Sequence, residues 1–262
     1  MNNKVIVIAV LAVIVIGTAS VAIAGLNNGD KDNMVEVYQS DGTYKKVPHN
    51  PERVVCLSTY TCEVLMFLGA SDKVVGTCTT TFTNIDLKDA YKDTTDVGSF
   101  NSPTMTKVLE TNPDLVIAYP GYPDVEDKLE EMGLNYVFLK CADAETITKE
   151  VESLGKIFDK KDEADKYIDF ANNIFDKIDA LAENITTKKT VYMTSFATFL
   201  KASSSTSAYY KLAQRAGANM IYDVGDTAMT IQASDLPPKC SKTAPRHGQT
   251  RRLFGRSKAA RR

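Results

Sequence analysis

The chain has 262 residues, 44% of them hydrophobic, enough to bury a sizeable core in one large or two modest domains. Its formal charge of -2 hides an asymmetry, because residues 237–262 hold nine Lys or Arg and no acid, leaving 22 basic against 33 acidic residues upstream. So acidic a body argues against nucleic acid as a partner.

At the amino end, Lys4 precedes an apolar run from Val5 to Ala24 that closes on the small-x-small pattern Ala22-Ile23-Ala24. This reads as an export signal, and its roughly twenty residues also suffice to span a hydrocarbon core. Residues 1–26 are therefore a signal peptide or an uncleaved membrane anchor, and 27–34 a polar tether. The chain is expected outside the cytoplasm, on the outer face of the cytoplasmic membrane, anchored or secreted.

Residues 35–145 read as an α/β lobe. Val35-Glu36-Val37-Tyr38 alternates like a half-buried strand and Asp41-Gly42 signals a turn, so Val35 to Val47 predicts a hairpin. Strands at Val54–Leu57, Val74–Gly76, Leu115–Ala118 and Tyr136–Leu139 then alternate with helices at Glu63–Leu68, Thr104–Glu110 and Val125–Met132, a spacing that implies a parallel sheet covered on both faces. Ser102-Pro103 carries the signature of a helix start, a capping hydroxyl followed by Pro, and Gly133 that of a helix end.

Residues 146–186 form a linker helix. Apolar residues recur at steps of three and four from Ile147 to Leu181, with a break expected at Asp159–Asp162. The segment from Asp162 to Asn184 would run about 34 Å. A second sheet opens at Thr190–Thr194, followed by a polar loop at Ser203–Ser207, a helix at Tyr209–Ala216 ended by Gly217, and a strand near Met220–Tyr222. The pattern stops at about Asp235, so 187–236 is expected to be a partial α/β lobe. The fold class is thus α/β, two lobes with mainly parallel sheets joined by a long helix, the second lobe incomplete. Six of the eight arginines fall in residues 237–262, which show no apolar period. That basic tail reads as a shifted or truncated coding frame, a segment for an anionic surface, or a cloning scar.

The chemistry is defined largely by what is missing. No GxGxxG or P-loop occurs, His49 is the only histidine before the basic tail, and no base is available for Ser58 or Ser195. Neither catalysis, a cofactor nor a resident metal is expected. Cys56, Cys62, Cys78 and Cys141, without a CxxC, read as buried thiols. What remains is a set of strand-end loops bearing hydroxyls and aromatic rings: Ser58, Thr59, Tyr60 and Thr61; Thr80 and Phe82; Ser99, Phe100 and Asn101; Tyr119, Gly121 and Tyr122; and, from the second lobe, Ser195 and Phe196. Aromatic faces with a few hydrogen-bonding groups suit a large, partly apolar ligand.

The ordered set Val47-Pro48, Pro51-Glu52-Arg53-Val54-Val55-Cys56-Leu57-Ser58, Glu63-Val64-Leu65, Leu68-Gly69-Ala70, Val74-Val75-Gly76, Val97-Gly98-Ser99, Asn112-Pro113-Asp114-Leu115-Val116-Ile117 and Leu154-Gly155-Lys156 resembles the substrate-binding proteins of the ferric-siderophore, haem and cobalamin type. The resemblance runs from about Val35 to Ser234. It implies two lobes on a rigid helix, a ligand held between them, and delivery to a membrane ABC permease. The implied ligand is an iron(III) complex, a siderophore or haem, or a corrinoid, with Tyr60, Tyr119 and Tyr122 available for stacking or for ferric iron. In relatives a Glu on each lobe docks the permease; here the first-lobe position holds Thr106, with Glu110 one turn later. An extracytoplasmic enzyme or a cell-surface interaction module on the same fold are the alternatives.

Overall fold

A computed structural model describes residues 33–194, 200–223, 225 and 229–232. The expected export segment, the expected tether up to residue 32, the basic tail, and Ser195 and Phe196 lie outside the described residues. No described helix is long and apolar enough to cross a membrane.

The chain divides into two compact units, residues up to 177 and residues from 178 onward, the boundary falling inside one long helix. In chain order the first unit holds β1 (Met34–Tyr38), β2 (Tyr44–Pro48), β3 (Val54–Cys56), α1 (Thr59–Phe67), β4 (Val74–Thr77), α2 (Thr79–Thr83), β5 (Thr95–Asp96), β6 (Gly98–Ser99), β7 (Ser102–Pro103), α3 (Met105–Glu110), β8 (Leu115–Ala118), α4 (Pro123–Glu131), β9 (Tyr136–Phe138), α5 (Ile147–Ile157) and most of α6 (Lys161–Glu183). The β1–β2 hairpin is antiparallel, as its alternation predicts.

Five strands form an entirely parallel sheet in the order β5-β4-β3-β8-β9. Successive residues on each strand feed opposite faces. Val54, Cys56, Leu115, Ile117, Val137 and Leu139 join one core with α1, α5 and α6, while Val55, Leu57, Val116, Ala118, Tyr136 and Phe138 join another with α3 and α4. A continuous apolar run with no polar alternation is what a strand covered on both sides requires. The open edge of β9 is occupied by polar groups next to the hairpin: Ser40 N–H donates to the Phe138 carbonyl (2.9 Å), and Phe138 N–H donates to the Gln39 side-chain oxygen (3.0 Å).

Local signals explain where the helices stop. After α4, Gly133 adopts φ 64°, and its N–H and that of Leu134 donate to the carbonyls of Glu130 and Leu129, closing the last turn. Between α5 and α6 the chain turns at Asp159 (φ 53°). There a Cβ on Gly155 would stand 2.6 Å from that of Ala164, so the two helices meet at a distance only glycine allows.

Three local expectations differ from the structure. Thr79 to Phe82, read as a loop, begins the short helix α2; its β-branched residues disfavour helix, but fully buried Thr81 is anchored by a 3.0 Å contact between its hydroxyl and that of Thr77. Helix α1 begins four residues before Glu63, so Thr59, Tyr60 and Thr61 form its first turn and Ser58 its cap. Ser102-Pro103 does not start a helix: it is β7, paired with Gly98–Ser99, and α3 begins at Met105. The chain reverses at Phe100 and Asn101, and the pairing of Ser102-Pro103 with Gly98–Ser99, where Gly98 takes φ 97°, overrides the hydroxyl-proline signal.

In the second unit, β10 (Thr190–Val191) pairs in parallel with β12 (Asn219–Met220), and β11 (Lys201–Ala202) pairs antiparallel with β13 (Met229–Thr230). Helix α7 (Ala208–Arg215) is capped by the Ser207 hydroxyl, which accepts from Tyr210 N–H at 3.2 Å. Ala202 and Ile231, with Tyr192, Leu200 and Tyr222 around them, make its small core. Arg215 grips Asp179 through two bonds of 2.8 and 2.7 Å.

Candidate ligand-binding site

In a parallel sheet, the crevice beyond the carboxyl ends of two neighbouring strands whose connections lead off in opposite directions is the natural place for a ligand. Here that point lies between β3 and β8, since the chain passes from β3 outward to β4 and then returns to place β8 on the other side. A hollow of about 440 Å³ opens there, lined by Leu57, Ser58, Thr59, Tyr60, Glu63, Thr80, Asn84, Phe100, Tyr119 and Tyr122. Its size suits a small-molecule guest.

One wall is three aromatic rings. Phe100 stands 5.5 Å from both Tyr119 and Tyr122, at interplanar angles of 61° and 81°, and the two tyrosines are 6.3 Å apart. Edge-to-face rings at such distances hold one another in place. Tyr119 comes directly after β8. Tyr122 is brought round by Gly121 (φ 89°) and caps α4, with Pro123 as its first helical residue.

Phe100 sits at the tip of the β6–β7 turn, and Asp96 holds that turn in place. The Asp96 carboxylate accepts from Gly98 N–H (2.9 Å) and from the Thr79 hydroxyl (2.8 Å), and its carbonyl accepts from the Lys107 ammonium (3.1 Å). Ser99 and Asn101 turn to each other, hydroxyl to amide oxygen at 2.6 Å. The opposite wall is the first turns of α1 and α2, joined by the 2.8 Å contact between the hydroxyls of Thr59 and Thr80.

The structure thus sorts the fourteen residues singled out by sequence. Ser58, Thr59, Tyr60, Thr80, Phe100, Tyr119 and Tyr122 come together around the hollow. Ser58 does so as scaffold: it is buried, its hydroxyl donates to the Lys140 carbonyl at 3.1 Å and accepts from Thr61 N–H at 3.2 Å. Thr61 is fully buried beneath the site, donating to the Leu139 carbonyl at 2.8 Å. Phe82, Ser99, Asn101 and Gly121 flank the hollow without lining it, and Ser195 and Phe196 lie outside the described residues.

Leu57, Glu63 and Asn84 line the hollow although nothing in the sequence pattern marked them for it. Glu63 lies four residues after Thr59 and three after Tyr60, so helical spacing puts all three on one face once α1 is known to start at Thr59. Asn84 has no comparable signal, because it is placed by the end of α2, a helix its own sequence does not announce.

Below the site lies a buried layer of thiols and hydroxyls. Cys56, Cys62, Cys78 and Cys141 are all free thiols and buried. Burial pushes the thiols of Cys56 and Cys141 well up, which keeps them protonated and inert. The Cys78 sulfur contacts the hydroxyls of Thr80 (3.2 Å) and Thr59 (3.6 Å), linking the core to the rim. Among the described residues no group of three His, Cys, Asp or Glu side chains is arranged to hold a metal ion.

Comparison with known proteins bears on this arrangement. The family model described as periplasmic binding protein matches residues 54–239. The chain is 30% identical over 135 residues to the petrobactin-binding protein YclQ of Bacillus subtilis, a match covering 50% of this chain and 42% of that protein. It is 26% identical over 129 residues to a vitamin B12-binding protein of Vibrio campbellii, covering 48% of this chain and 45% of that protein. The chain thus spans less than half the length of these curated relatives. The crystal structure of YclQ superposes with a TM-score of 0.62 at 23% identity, over 76% of this chain and 72% of that one. The periplasmic catecholate-siderophore binding protein VctP of Vibrio cholerae superposes with a TM-score of 0.65 at 17% identity, over 76% and 73%.

Proposed function

The chain belongs to the periplasmic binding protein family, and from that premise we propose that it is the extracytoplasmic binding component of an ABC importer, capturing a bulky metal chelate for delivery to a membrane permease. The ligand is an iron(III) complex, a siderophore or haem, or a corrinoid. The observation that carries this reading is the three-ring wall at the switch point of the parallel sheet, facing hydroxyls of Thr59 and Thr80 across a hollow of about 440 Å³. Flat aromatic faces gain contact area from a large ring system or chelate rim without demanding a particular substituent, and the hydroxyls and the Asn84 amide fix its orientation.

Within the same reading, residues 1–26 take the chain through the cytoplasmic membrane and the long helix serves as a linker. The permease contact on the first unit falls on the exposed face of α3, where Thr106 and Glu110 lie one turn apart. The names of the two curated relatives, one binding petrobactin and the other vitamin B12, support the ligand class without choosing within it.

The test is a panel. The full-length chain is incubated with a ferric trihydroxamate, a ferric catecholate, haem and cyanocobalamin, passed through a sizing column, and scanned for retained visible absorption and for a raised melting temperature. A ligand of this class at a hundredfold excess over its Kd should stabilise the fold by about 2.7 kcal/mol. Absence of both retained colour and stabilisation for all four rejects the reading in favour of a surface module or an enzyme on this fold.

A further inference from the structure

The ligand-facing hollow has an electrostatic character that its shape alone does not convey. Glu63 is the one acidic residue among the described residues lining it, and none of those residues is Lys, Arg or His. The Asn84 amide donates to its carboxylate at 3.3 Å, and among the described residues no Lys or Arg pairs with it. The wall made by Phe100, Tyr119 and Tyr122 is aromatic, and the face of an aromatic ring carries partial negative charge. The amino end of α1 works the other way with about half a positive charge. The Ser58 hydroxyl already occupies the Thr61 N–H there, and a whole carboxylate charge on the next turn of the same helix outweighs the remainder.

A carboxylate and three aromatic rings around one small volume is the kind of environment that organic cations select. We propose that Glu63 and the three rings form a subsite for a cationic group, an ammonium or similar organic cation carried by the ligand, and that Glu63 sets the charge preference of the site. The proposal deepens the binding-protein reading and rests on it. Chelates bearing a protonated amine are therefore favoured over those whose rim carries free carboxylates.

The test uses three molecules of nearly one shape and different charge: choline, its neutral isostere 3,3-dimethylbutan-1-ol, and the anion 3,3-dimethylbutanoate. Each is titrated into the full-length chain at low ionic strength, with tyrosine fluorescence as readout, since the protein has no tryptophan, and amide chemical shifts at α1 as a second. Choline should bind about threefold to thirtyfold more tightly than the neutral isostere, and the anion most weakly. Glu63→Gln keeps the bond from Asn84 and lies on the exposed face of α1, so it should fold normally; it should abolish the advantage of choline and leave the neutral compound unchanged. Phe100→Leu should weaken choline while preserving the melting temperature.

The proposal is overturned if the neutral or anionic isostere binds as tightly as choline, if Glu63→Gln leaves the order intact, or if none of the three binds. Outcomes for the chelate panel are separate. Choline selectivity without chelate binding keeps the subsite and removes the ligand class, whereas chelate binding without choline selectivity does the reverse.

Discussion

At the amino end of the five-stranded sheet, Asp114 accepts the backbone N–H groups of Glu52 (2.8 Å) and Arg53 (3.1 Å), and the Arg53 guanidinium reaches the carbonyls of Thr111 (2.6 Å) and Asn112 (3.1 Å) at the end of α3. At the carboxyl end of the same strands, Tyr119, Tyr122 and Phe100 lean on one another ring to ring. The amino end holds two of the segments by which the chain resembles its family, Pro51-Glu52-Arg53 and Asn112-Pro113-Asp114. They align β3 with β8, and they stand at the opposite end of the sheet from the hollow. These two motifs are therefore not among the residues that line the hollow, unlike Leu57, Ser58 and Glu63 of the same resemblance: backbone registration requires particular hydrogen-bonding groups, whereas a stacking wall accepts many arrangements of rings.

The sharpest way to break this contrast is Phe100→Ala. Phe100 touches both tyrosines, so its loss should weaken chelate binding by about thirtyfold, roughly 2 kcal/mol, with little change in the denaturation midpoint. Titration of the variant beside a urea melt checks both, and an equal loss of stability would show that the wall is part of the core.

Asp114→Ala should do the opposite, costing about 1.5 kcal/mol of unfolding free energy through two orphaned backbone donors while leaving the dissociation constant unchanged. Gly155→Ala, in another family-like segment away from the hollow, should cost about 1 kcal/mol because the added methyl forces α5 and α6 apart at Ala164. Chemical denaturation with ligand titration tests each; a shifted affinity in either would mean that the two ends of the sheet are coupled.

The smallest effect belongs to the second unit. The Arg215 guanidinium beside Asp179 holds that carboxyl below its ordinary value, chiefly through the hydrogen bond between them. A depressed native pKa means that the pair contributes stability above the unfolded value of about 3.9. The contribution disappears as pH falls through the lower native value. Arg215→Gln should slightly lower the melting temperature near neutrality, by the small amount an exposed pair contributes, and the difference from the parent chain should vanish as pH falls below about 4, which flattens the acid limb of the profile.

How far the site was legible in the sequence can be judged residue by residue. Tyr119 and Tyr122 could be found because a four-residue apolar strand delivers the residues just beyond its carboxyl end to the crevice. Phe100 could be found as an aromatic in a Gly- and Asn-containing turn. Asp96, which aims that turn through Gly98 and Thr79, gave no sign of its role, since its partners are set by the pairing of β4 with β5. Glu63 was hidden for a smaller reason: a start at Glu63 puts it on the wrong turn of α1, and a start at Thr59 brings it to the rim.

Periodicity alone was enough to establish the alternation of strands and helices, the parallel sheet, the hairpin and the break between α5 and α6, because each is a repeat of apolar residues within a few positions of one another. Which strand lies beside which, and so where the switch point opens, depended on contacts between segments some sixty residues apart, such as Arg53 with Thr111 and Asp114. Side chains that reach the site only after such pairing, Glu63 and Asn84 above all, belong to the folded molecule, since no local energy in the chain distinguishes them from ordinary surface residues.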